Sequence, residues 1–122
     1  MLPSLSGCAD DEEPGISRIE WEDHDMRAGQ FLNALINGDF TIAAEGFDEE
    51  MTRLLGVRGL RRAWRDTVRV AGAYTSVLDM SYMEHEGYDI YDIVTQHRNR
   101  SINTRVVFSE DGLVAGLFFT FV

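Results

Sequence analysis

The chain predicts an α+β fold, with N-terminal helices packed on a curved, mainly antiparallel four-stranded sheet. Three observations carry that expectation. Apolar residues recur at helical spacing up to Ala71; from Tyr74 to Val122 the period switches to two; and short turns at Glu84–Gly87, Asn99-Arg100 and Glu110-Asp111-Gly112 divide the second half into strand-length pieces. Helices gathered ahead of hairpin-linked strands cover one face of an antiparallel sheet.

The elements follow in order. Residues 1–21 hold both prolines and an acidic run with little periodicity, and are expected to form a flexible tether ahead of a single domain at 22–122. Asp23 or Asp25 can cap a helix whose Ala28, Phe31, Leu32, Leu35 and Ile36 form one apolar stripe, stopped by Asn37-Gly38. Asp39 is placed to cap a second short helix through Ile42, Ala43 and Ala44 to Phe47. Asp48, Glu49 and Glu50 set three carboxylates at the positive end of a third, which Gly56 stops. From Val57 a fourth stripe runs through Leu60, Ala63, Trp64, Thr67, Val68 and Ala71 to Gly72. Four strands then follow, at Tyr74–Met83, Tyr88–His97, Ile102–Phe108 and Leu113–Phe121. The last is apolar on both sides, with Val114 and Phe118 expected on one face and Leu113, Leu117, Phe119 and Phe121 on the other. One face is left for curvature of the sheet or a second copy to cover, so a homodimer is expected.

Composition excludes more than it assigns. At 122 residues there is room for one core without disulfides, and no run approaches the roughly 18 apolar residues of a membrane-spanning helix. A formal charge of −10, from 21 acidic against 11 basic residues, repels a phosphate backbone, so no nucleic-acid partner is expected. All 11 basic residues are arginine, which removes Schiff-base, pyridoxal and phosphate-loop lysine chemistry. A high-salt habitat would suit that bias, and a GC-rich genome that favours Arg codons is the alternative explanation.

The single cysteine lies in Leu5-Ser6-Gly7-Cys8, which resembles a bacterial or archaeal lipobox. Met1-Leu2-Pro3-Ser4 supplies neither the charged start nor the apolar stretch of a secretory signal. The resemblance therefore implies a misplaced start codon and an extracytoplasmic protein lipidated at Cys8, its only link to a membrane; without such a signal the protein is expected in the cytoplasm.

The Asn37-Gly38-Asp39-Phe40 helix end, the Phe47-Asp48-Glu49-Glu50-Met51 element, the Trp64-bearing helix ending in Gly72-Ala73-Tyr74, and the Arg105-Val106-Val107-Phe108 and Asp111-Gly112-Leu113-Val114 close occur in an order and spacing that resemble a larger group. From about residue 26 onward the chain is similar to a bacterial and archaeal domain of unknown function in the nuclear-transport-factor-2-like superfamily. The resemblance implies a cone of curved sheet with an internal pocket, for which Phe31, Leu35, Trp64, Tyr74 and Phe118 are candidate lining residues. That domain often precedes an α/β-hydrolase or stands alone in lipoproteins; here no Gly-x-Ser-x-Gly elbow is present. Asp92 and His97 stand where the pattern expects apolar residues, either wetting the pocket or marking a register shift.

Enzymes on this fold, such as ketosteroid isomerases and polyketide cyclases, set a carboxylate base and a Tyr, Asp or His donor within the cone. Asp79, Tyr82, Tyr91, Asp92 and His97 are the candidates here. In a regular strand Asp92 faces away from Tyr91, Ile93, Thr95 and His97, which argues against a His-Asp dyad. His24, His85 and His97 lack zinc-ligand spacing, and neither metal nor cofactor is expected. Arg58, Arg62, Arg65 and Arg69, with Arg61 beside them, give one helix a basic face for an acidic partner or an anionic ligand. The plainer expectation is a solvated face paired with Glu49, Glu50 and Asp66. Together these features suggest a non-enzymatic accessory or binding domain, with a pocket for a small apolar ligand or a surface for a protein. The rivals are an isomerase- or cyclase-like enzyme and the N-terminal part of a split α/β-hydrolase.

Overall fold

A computed structural model describes residues 23–122, so the tether at 1–21 and lipidation at Cys8 lie outside the described residues. Four helices precede four strands: α1 (Asp23–Asn37), α2 (Phe40–Ala44), α3 (Glu49–Leu54), α4 (Gly56–Ala71), β1 (Tyr74–His85), β2 (Tyr88–His97), β3 (Ser101–Phe108) and β4 (Val114–Phe121). The protein is α+β, its helices packed on a curved, unclosed antiparallel sheet of order β1-β2-β3-β4.

The helix ends follow local chemistry. At the close of α1 the Gly38 N–H donates to Leu35 O at 3.1 Å and the Asp39 N–H to Ala34 O at 2.8 Å, satisfying carbonyls that helical pairing leaves over. Asp48 caps α3, its Oδ1 accepting from the Met51 N–H at 2.8 Å. Asp39 departs from expectation: its side chain makes no capping bond, because its backbone at φ −89°, ψ 65° is outside the extended geometry that Asp48 adopts at ψ 179°. α2 also stops at Ala44 and leaves Phe47 to bridge Val114 in parallel. Two further bonds, Asp48 N–H to Val114 O and Val114 N–H to Gly46 O, clamp this corner to the start of β4.

The sheet is a meander. β1 and β2 join through Glu86 (φ 52°) and Gly87 (φ 87°), a two-residue turn whose paired positive φ values match the twist of the flanking strands. Tyr82, Tyr91, Val106 and Leu117 stand in one row across all four strands, and Met80, Ile93, Thr104 and Phe119 in the next. Register breaks occur in β1, between Tyr74 and Ser76 and between Val77 and Asp79, and at the start of β4. The β4 irregularity corrects the expected faces. An extra residue between Val114 and Gly116 resets the alternation, so Val114, Leu117 and Phe119 pack on the core while Phe118, opposite Arg105, stands 57% exposed on the outer face. One apolar core joins Phe31, Leu35, Leu60 and Trp64 of the helices to Tyr91, Ile93, Val106, Phe108 and Val114 of the sheet. Among the described residues no helix is long and apolar enough to cross a membrane.

Candidate functional site

The helices cover β2, β3 and β4 but leave the inner face of β1 open. Between α1 and β1 runs a groove of about 1180 Å³, walled by Met26, Leu32 and Ile36 on one side and Val77 and Met80 on the other, with Ile93 at its base. Its walls are apolar because α1 presents the flank of its core stripe and β1 the residues that alternate inward.

Tyrosines mark the groove. Tyr74 lines it, as does Tyr82, whose hydroxyl donates to Asp89 Oδ1 at 2.7 Å. The Tyr82 and Tyr91 rings lie 5.0 Å apart. The Asp89 hydrogen bond, with the negative charge behind it, pushes the Tyr82 phenol up to about 12. Burial, followed by a hydrogen bond to Asp25, raises Tyr91 well above the ordinary phenol range. Each phenol thus keeps its proton at neutral pH and commits it, Tyr82 to Asp89 and Tyr91 to Asp25, which leaves the hydroxyl oxygens as acceptors. Asp25 and Asp89 are the members of this cluster that sequence reasoning missed. A signal for Asp89 existed: a two-residue turn at Glu86-Gly87 sets Glu84 opposite Asp89 and Tyr82 opposite Tyr91.

The other candidates are dispersed. Asp79 is exposed at the groove's rim, opposite Val94. Asp92 faces away, as alternation requires, and is held by Arg105 at 2.8 and 2.9 Å and by Asn103 at 3.0 Å. The Arg105 pairing holds its carboxyl below the usual carboxylate value. His97 is fully buried and wets no pocket; β2 pairs in regular register with β3 up to Gln96, while against β1 the register shifts at His97, between the Tyr74–His97 and Ser76–Gln96 pairs. Its Nδ1 donates to Gly72 O at 2.9 Å, and its Nε2 lies 2.8 Å from Thr95 Oγ1. Trp64 and Tyr74 meet the imidazole edge-on at 6.0 and 5.8 Å. The ring thereby ties the end of α4 to β2, and Gly72 must stay glycine there: its φ is +91°, and a Cβ would meet Arg98 Cβ at 2.8 Å. Of the proposed lining residues, Phe31, Leu35 and Trp64 fill the core, Phe118 is on the outer face, and Tyr74 lines the groove. Among the described residues no cluster of His, Cys, Asp or Glu is placed to hold a metal ion.

On α4 the arginines cap a different surface. Leu60, Trp64 and Ala71 are buried, and at 100° per residue Arg58, Arg62, Arg65 and Arg69 project from the opposite side. With Arg61 and Asp66 they line an open depression of about 430 Å³. The expected intramolecular pairing is mostly missing. Asp66 pairs with Arg69 at 3.4 Å, but Glu50 pairs with Arg53 at 3.3 Å, and Arg61 lies over the Phe40 ring at 5.6 Å. Among the described residues, no ion pair engages Arg58, Arg62 or Arg65. Like charges at i+3 and i+4 destabilise a helix by roughly 0.2–0.5 kcal/mol per pair, so this face carries a local cost.

Compared with protein-family models, residues 28–117 match the family described as Protein of unknown function (DUF3887). The chain belongs to this family. No curated protein and no solved structure matches it. The DUF3887 span covers most of the groove and the whole arginine face but begins after Asp25, so that carboxylate of the tyrosine cluster is outside the family match.

Proposed function

We propose that this DUF3887 domain is a non-enzymatic binding module, related to the nuclear-transport-factor-2-like folds, whose groove takes an elongated apolar small molecule. The observation that carries this is the groove itself: some 1180 Å³ of largely apolar space between α1 and β1 with two protonated phenols among its neighbours. Small-molecule sites are typically apolar concavities with a few convergent polar groups. The Tyr82–Asp89 pair supplies such groups, so the fitting ligand has an apolar body and one hydrogen-bonding end.

The test is binding of an anilinonaphthalene dye, followed by its displacement with a long-chain alcohol. The native protein is expected to enhance dye emission, and Val77→Trp, which fills the groove, to abolish the enhancement. Dye bound equally by both proteins, or by neither, would sink the proposal.

The Tyr82–Asp89 pair also favours a second reading, an isomerase-like enzyme in which Asp89 acts as base. Such chemistry calls for a carboxylate shielded from water, whereas Tyr82 is 45% exposed and Asp89 is on the strand beside it. Binding therefore ranks ahead of catalysis.

A further inference from the structure

The α4 face is separate from the groove and carries its own chemistry. Five of the 11 basic residues stand on this one helix surface, on a chain of net charge −10. From Arg58 to Arg69 the row is about 16 Å long, with successive guanidinium stems rising about 4.5 to 6 Å apart along the axis. We infer that this row is a docking surface for a short, extended, carboxylate-rich segment of a partner protein.

Spacing favours that partner. In an extended peptide, side chains on one face recur about every 6.6 Å, close to the i, i+4 rise of the helix. Three or four carboxylates of one short segment then meet Arg58, Arg62, Arg65 and Arg69 in order, and guanidinium accepts carboxylate in bidentate fashion. Charge complementarity also limits the occupant's length. Apart from Asp66 within the row, the chain has 20 acidic residues and six further arginines, so a nucleic acid or an anionic bilayer, whose charge continues past 16 Å, is repelled where the acidic segment simply ends. Asp66, paired with Arg69, gives the row one fixed negative point, leaving Arg58, Arg62 and Arg65 as the main anchors.

The test is fluorescence anisotropy of a labelled hexaglutamate peptide with the full chain, beside a hexathymidylate and phosphatidylglycerol vesicles. The peptide is expected to bind, losing about tenfold in affinity from about 50 to about 200 mM salt. Arg62→Gln with Arg65→Gln is expected to weaken it about tenfold, while the thermal midpoint stays level or rises because like-charge repulsion is relieved. Val77→Trp should leave peptide binding unchanged, which separates this surface from the groove. Equal affinity in the double glutamine variant, or tighter binding of the oligonucleotide or the vesicles, would overturn the inference.

Discussion

The first strand and its two successors begin from similar alternation and end in opposite surroundings. Along β2 from Tyr91 to His97, and along β3 from Ile102 to Phe108, every second side chain is buried, whereas no residue of β1 is. Val77 and Met80 occupy the same inward rows as Thr95 and Ile93. What separates them is the roof: helices lie over β2 and β3, while β1 is opposite a gap. Period-two patterning therefore sets which way a side chain points, and the helices decide whether it is sealed. The sealed strands carry stability, and the open one leaves the groove beside α1.

The largest expected effect would break that division if it failed. Phe108→Ala, at 1% exposure, should cost about 3–5 kcal/mol in urea unfolding, whereas Leu78→Ala on β1, at 55%, should stay within about 0.5 kcal/mol. Comparable losses would mean that β1 is as much a part of the core as β3. A smaller effect sharpens the sealed side. Thr104 is fully buried and its hydroxyl has no hydrogen-bond partner, so Thr104→Val, which removes the hydroxyl and keeps the shape, should raise stability by about 1 kcal/mol. A loss of stability would mean that the hydroxyl is satisfied in solution.

The smallest effect probes the seam between the regions. The raised phenol of Tyr82 makes the folded state bind its proton more tightly than the unfolded chain does. Its contribution to stability is then whole below pH 10.0 and is lost as pH rises through about 12. Ultraviolet titration should show Tyr82→Phe removing a phenol that ionises near 12, and Asp89→Asn moving that ionisation down. An unchanged titration in Asp89→Asn would detach Tyr82 from Asp89.

What the sequence disclosed depended on how local each cause is. The Phe31–Leu35 and Leu60–Trp64 stripes were legible because helical period alone sets the buried face. The tie between Asp92 and Arg105 was half legible: alternation pointed Asp92 outward, but its partner lies across a strand pair. The faces of β4 were not, since one extra residue near Ala115 leaves no mark on an apolar run. His97 looked like an intruder because one of its partners, the Gly72 carbonyl, is 25 positions away in the chain. The groove was invisible for the same reason: Phe31, Leu35, Trp64 and Phe118 have the right chemistry to line it, and only tertiary packing assigns the space to Met26, Ile36 and Met80.

Among the described residues β1 is also one of the two borders of the sheet, and its two register breaks both fall near its beginning, between Tyr74 and Asp79. An incoming strand would find evenly spaced amides and carbonyls only on the stretch from Met80 to His85. The skewed first half interrupts the template that edge-to-edge growth of sheets requires, so the irregularities limit self-propagating assembly at this border.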